Sequence, residues 1–237
     1  MGRVRATLVA HGAPEEILFD SLPHIGSDRL PKVGAAVGQS IRDGGGEIHF
    51  NTRVDDFVIE GESVRGVRTA SGDVISCRQV ILATGHSARD VFELLARKGI
   101  KIEAKPFALG VRVEHPPALI DSIQYSCPSR DPWLPPASYR VAQQVGGRGV
   151  YSFCMCPGGM VVNASPEPGR LVVNGMSLSK RDSPYANSAL VVTVRPEDFG
   201  AGSICGPLDG IAFQRKWEEA AFKAGGGNYS APAQSLN

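Results

Sequence analysis

The sequence predicts an α/β fold continued by a β-rich portion, and three observations carry that expectation. An apolar run, Val80-Ile81-Leu82, ends in Ala83-Thr84-Gly85-His86. This is the form of a buried parallel strand that delivers its C-terminal end to a ligand crevice. Ahead of it, one amphipathic helix is followed by three short strands at hairpin spacing. Beyond about residue 100, alternating segments are separated by turns rich in Gly and Pro.

In chain order, the first helix has Ser27 or Asp28 as its cap and Pro31 in its first turn, where a missing N–H does least harm. Leu30, Val33, Val37 and Ile41 form its apolar stripe, Arg42 suits its C-terminal dipole, and Gly44-Gly45-Gly46 ends it. Glu47 to Phe50 reads as a short strand. Val54 to Ile59, Val64 to Thr69 and Val74 to Cys77 follow as three antiparallel strands. After the apolar strand, Ser87-x-x-Asp90 supplies a capping box for a helix carrying Val91, Leu94 and Leu95, which Gly99 stops. Strands are then expected at Phe107 to Glu114, Gly149 to Cys154, Met160 to Ala164, Arg170 to Asn174 and Ala189 to Val194. Residues 126 to 138 hold four prolines and form a loop. A last helix, about Ile211 to Ala224, aligns Ile211, Arg215, Glu218 and Phe222; Gly225-Gly226-Gly227 follows it, and the last ten residues form no further element.

Composition narrows the function classes. The chain has 237 residues, a formal net charge of +1 and no basic run, so nothing in its charge argues for nucleic acid or membrane binding. No apolar stretch approaches the ~20 residues of a transmembrane helix. The first residues turn polar too soon for a secretory signal. Five cysteines without a framework fit a reduced, cytoplasmic protein. No zinc spacing, Walker loop, Gly-x-Ser-x-Gly or His-Glu-x-x-His occurs, so no metal is expected.

Several residues carry a chemical reading beside a plain one. Thr84-Gly85, leading into a capped helix, fits a cofactor crevice. His86 beside it suits either a hydrogen bond to cofactor or substrate, or a loop role. Cys154 and Cys156 suit either a thiol redox pair or small core residues on one strand face. Arg112 suits either an anionic substrate or a cross-strand ion pair. Arg181 and Asp182 read as a solvated loop.

Longer matches give a resemblance. Pro23-His24-Ile25-Gly26, the run from Gly46 to Val54, and Ala83-Thr84-Gly85-His86-Ser87-Ala88-Arg89-Asp90 match a known pattern. So do the run from Lys105 to Arg112, the run from Gly149 through Cys154-Met155-Cys156-Pro157-Gly158-Gly159, the run from Asn187 to Val192, and the run from Gly225 to Gln234. On these residues the chain resembles the central portion of a flavin-dependent dehydrogenase-like family, the FAD-dependent or NAD(FAD)-utilising proteins. The resemblance implies a partial, Rossmann-like FAD-binding region over 12–98: helix, three-stranded antiparallel crossover, parallel strand. It also implies an inserted mixed or antiparallel substrate domain over 99–205, and a helix and tail over 206–237 that return towards the FAD region. It implies FAD contacts at Arg53 and Val54 (adenine) and at Ala83, Thr84 and Gly85 (phosphate and ribityl portion). Val54 has the plain reading of a strand residue.

The family's glycine-rich βαβ unit and its C-terminal flavin segment have no counterpart in these residues, and no Gly-x-Gly-x-x-Gly precedes Val80. The expectation is therefore a fragment or truncated form of an FAD-dependent oxidoreductase, holding FAD weakly or not at all by itself, with an unknown small-molecule substrate. Open sheet edges would favour self-association. The competing expectation is a non-catalytic binding or interaction module that keeps the substrate-domain fold.

Overall fold

Helix α2 (Leu30–Asp43) follows directly from its sequence: Val33 is its buried residue, Pro31 lies in its first turn, and Gly44 caps its C-terminus. A computed structural model describes residues 2–200 and 206–236 of the chain. Before α2 come α1 (Gly2–Ala10) and a single 3-10 turn (Glu15–Leu18), neither of which the sequence pattern announced. Ala13, Ile17 and Val33 form a small core here, packed by Leu8, Val9 and Ile25. The cap of α2 differs from expectation. Neither Ser27 nor Asp28 caps the helix; the N-cap is Arg29, without a side-chain bond. Both side chains are taken by residues some 150 positions later, described below.

Strands β1 (Val54–Glu60), β2 (Ser63–Thr69) and β3 (Val74–Ser76) form the expected antiparallel sheet, in the order β1-β2-β3. Glu47 to Phe50 forms no strand. The apolar run Val80–Leu82 is a larger correction. It carries no strand, and Ile81 is 92% exposed. A parallel strand exists only through neighbours that take up its N–H and C=O groups, and none of the described strands lies beside it. Every ladder among the described residues is antiparallel, so the fold is mixed α/β with antiparallel sheets.

Helix α3 (Arg89–Arg97) buries Leu94, and Gly99 beyond its C-cap takes φ 70°. The Ser87 capping box does not form; Ala88 is the N-cap, and the Ser87 hydroxyl meets His86 Nδ1 at 3.4 Å.

The second half is built around β9 (Ala186–Val194). It lies between β4 (Phe107–His115) and β6 (Arg148–Cys156), with β5 (Ala142–Val145) at the far edge. Its burial explains its composition: Ala186, Asn187, Ser188 and Ala189 are all buried. A separate hairpin pairs β7 (Gly159–Asn163) with β8 (Val173–Ser177), three residues later than the strand expected at Arg170 to Asn174. Helices α4 (Pro117–Tyr125) and α5 (Pro196–Phe199) and strand β5 were not expected. The proline-rich stretch from 126 to 138 is irregular, as expected.

Helix α6 (Asp209–Ala224) is fixed by aromatic stacking. Phe107, at the start of β4, lies 5.6 Å from Phe199 and 6.2 Å from Phe213, ring centre to ring centre. Beyond α6, the Tyr229 ring packs on Phe222, and its hydroxyl accepts the Gly169 N–H at 3.0 Å. No helix among the described residues is long and apolar enough to cross a membrane.

Candidate functional site

A cluster of polar and thiol side chains lies where β6 leaves its sheet. The β6–β9 ladder runs to Phe153 opposite Ala189, then slips, so that Cys156 stands opposite Asn187. Cys154 absorbs the slip with φ 50°. Such a bulge re-aims the strand, and here it leads through Pro157-Gly158 into β7. Gly158 is required at that corner, because it takes φ 54° and a Cβ there would run into the Arg181 carbonyl.

Arg112 reaches this turn from β4. One terminal nitrogen, Nη1, donates to the Cys154 carbonyl at 3.2 Å and to Asn187 Oδ1 at 2.5 Å; Nη2 donates to Asn174 Oδ1 at 3.0 Å. Gly175 makes room, since a Cβ there would collide with the guanidinium and the Asn187 amide. The expected cross-strand ion pair is absent. Arg112 is held by neutral acceptors, and among the described residues no carboxylate lies within 4.0 Å of it. Asn187 is fully buried, and its Nδ2 has no acceptor.

The Cys156 thiol is buried, and burial pushes it up, with Cys154 acting the same way and Arg112 and Ser177 opposing. Cys154 is exposed. Arg181 corrects the sequence reading. It is half-buried, burial pushes its guanidinium below the ordinary value, and its Nε is buried without a partner.

The segment ahead of α2 docks onto the same place. Ser27 gives both its N–H (3.1 Å) and its hydroxyl (3.2 Å) to the Ser177 carbonyl, and His24 Nε2 donates to the Leu178 carbonyl at 3.0 Å. Asp28 accepts from Ser179 N and Oγ, each at 2.7 Å, and these bonds hold its carboxyl below the usual range. The structure thus gathers Cys154, Cys156 and Arg112, three of the sequence-selected residues, at a junction with residues 24–28.

The remaining selected residues lie elsewhere. Arg53 pairs with Asp90 at the start of α3 at 2.8 Å, and Val54 sits opposite Thr69 as an ordinary strand residue. Ala83, Thr84, Gly85 and His86 precede the same helix, with Gly85 at φ 77°. All six are exposed. Flavin-sized ligands require an enclosing crevice, and these residues are at most one wall of one. None of the six lines either of two grooves on the described surface. One, of about 630 Å³, is bounded by Gln143, Gly149, Tyr151 and Thr193; the other, of about 510 Å³, by Asp55, Asp56, Arg68 and Lys98. The described residues do not by themselves fit FAD.

Sequence reasoning aligned Arg215 and Glu218 on the last helix but missed the cluster they belong to. Arg89, 6% exposed, donates to Glu218 (2.5 and 2.8 Å), Glu167 (2.6 Å) and Gln214 (3.2 Å). Arg215 and Arg170 also pair with Glu167, and Arg215 reaches Glu93. The cluster ties α3 to α6 and to the loop between β7 and β8. The signal was an arginine, rather than an acid, at the first position of α3. Among the described residues, no three His, Cys, Asp or Glu side chains are gathered as for a metal ion.

Residues 106–237 match the family described as FAD-dependent protein, C-terminal domain-like, and the chain belongs to that family. It is also similar to an uncharacterised protein of Clostridium beijerinckii, 48% identical over 229 residues. That similarity covers 96% of this chain but 42% of the relative, so the chain spans less than half of the relative's length.

Proposed function

We propose that this chain is part of an FAD-dependent oxidoreductase and supplies its substrate-bearing portion. In this reading, residues 99–205 form the substrate domain. Residues 12–98 contribute one wall of the flavin site, through Arg53, Val54 and Ala83 to His86, and residues 206–237 return towards that wall. Bound FAD would supply the redox chemistry. The chain's own task is to hold and orient the substrate, with Arg112 as the charged contact. One observation carries the reading: the family match spans 106–237, the same interval in which Arg112, Cys154, Cys156, Asn174 and Asn187 come together.

The test compares two purified proteins by their visible absorbance, this chain and the longer Clostridium beijerinckii relative. The relative is expected to retain flavin, and this chain to retain far less than one per molecule. A colourless relative that fails to bind added FAD would refute the oxidoreductase reading. Stoichiometric flavin on this chain alone would refute the assignment of a single wall.

A further inference from the structure

Two arginines border the turn that ends β6. Arg112 hydrogen-bonds the Cys154 carbonyl, and the backbone of Arg181 packs against Gly158. Neither has a carboxylate within 4.0 Å among the described residues. Asp20 acts on Arg181 as an opposing charge without forming an ion pair with it. Two donors in this cluster, Arg181 Nε and Asn187 Nδ2, are buried with no acceptor. Buried donors without partners are costly and uncommon in native structures, and an unplaced water or ion is a usual explanation. Here the surroundings select the sign. Both neighbours are cations, the acceptors already present are neutral, and the Cys156 thiol lies within electrostatic reach of both guanidinium groups. A planar guanidinium with free N–H groups is shaped for an oxyanion.

We propose that Arg112, Arg181, Asn187 and the Cys154–Gly159 turn form a binding site for the oxyanion group of a small organic acid. The proposal names the substrate class of the domain and so rests on the reading of residues 99–205 as substrate-bearing. Its test uses no flavin, so the two can fail separately.

The exposed Cys154 thiol provides the readout. Iodoacetate and iodoacetamide both alkylate a thiolate by displacing iodide, but only iodoacetate carries a carboxylate. Peptide mapping by mass spectrometry follows all five cysteines in one sample. Cys77 and Cys127 are expected to react faster with the neutral reagent. Cys154 is expected to prefer iodoacetate by about tenfold relative to them, the worth of one charge-assisted hydrogen bond, and with saturation. Acetate and inorganic phosphate should each slow the reaction, and the better competitor identifies the anion as carboxylate or phosphate. Arg181→Gln and Arg112→Gln should each return Cys154 to the behaviour of Cys77. Arg112 also anchors two buried amides, so Arg181→Gln keeps the test decisive if the other variant misfolds. The proposal is overturned if Cys154 shows the same reagent preference as Cys77 in the native protein, or keeps its preference for iodoacetate in Arg181→Gln.

Discussion

Replacing Arg89 by Met should destabilise the protein by about 3–5 kcal/mol, because the partners left behind are acids whose side chains are largely out of water. The Arg89 side chain is 7% exposed, and its partners Glu218 and Glu167 are 12% and 22% exposed. Glu167 would keep Arg215 and Arg170. Glu218 has no second ion pair among the described residues, so its carboxylate would be left desolvated at the middle of α6. The cost is therefore mostly that of one stranded charge. For a chain of this size it corresponds to a fall in Tm of roughly 6–20 °C. Urea unfolding followed by circular dichroism gives the loss directly, and Glu218→Gln added to Arg89→Met removes the stranded charge. The double variant should recover at least about 1 kcal/mol, since an amide is far cheaper to bury unpaired than a carboxylate. The reasoning fails if Arg89→Met costs less than about 1 kcal/mol, the range of a surface pair, or if the second substitution only adds to the loss.

Two further outcomes follow from the same geometry. Arg215 first, then Arg89, hold the Glu167 carboxyl well below its ordinary value of 4.5, at about 2. The unfolded chain therefore takes up this proton before the folded one, so the stabilisation is complete above pH about 4.5 and drains away as pH falls towards about 2. Denaturation midpoints across that interval should fall steeply in the native protein and less so in Glu167→Gln; parallel curves would contradict the assignment. Gly158→Ala should cost clearly more than Gly146→Ala in thermal melts. Both glycines have positive φ (54° and 56°), worth about 1–2 kcal/mol for any other residue, but only at Gly158 does the new Cβ strike backbone. Equal losses would show that the Arg181 carbonyl yields freely.

How far the sequence could be read depended on whether local pattern or distant contact decides each element. The stripe of α2 and the hairpin spacings of β1 to β3 are local, and the structure follows them closely. Capping of α2 is not local, because Asp28 finds better acceptor work at Ser179, across 151 residues of chain. The strand expected at Arg170 to Asn174 moved because its register is set by pairing Gly159 with Ser177, and Gly159 is placed by the turn before it. Strand β5 escaped notice since Ala142-Gln143-Gln144-Val145 is exposed throughout and shows no alternation. At the site, Arg112 and the two cysteines were singled out by residue type. Arg181 looked solvated because nothing in its own segment tells that Gly158 lies against its carbonyl. Val80 to Leu82 shows the opposite failure: a strand-like composition without strand partners beside it.

The position of β9 has a consequence for how the chain is made. It is one of the two inner strands of its sheet, yet about seventy residues separate it from the end of β4, its neighbour. At ~5–20 residues per second, synthesis leaves β4 waiting roughly 4–14 seconds before that partner leaves the ribosome. During that interval an apolar strand, Phe107 to Val113, has a vacant place beside it, which is the form in which nascent chains pair with one another. The order of synthesis thus runs against the order of the sheet, and β4 emerges with both edges open before β9 covers one of them.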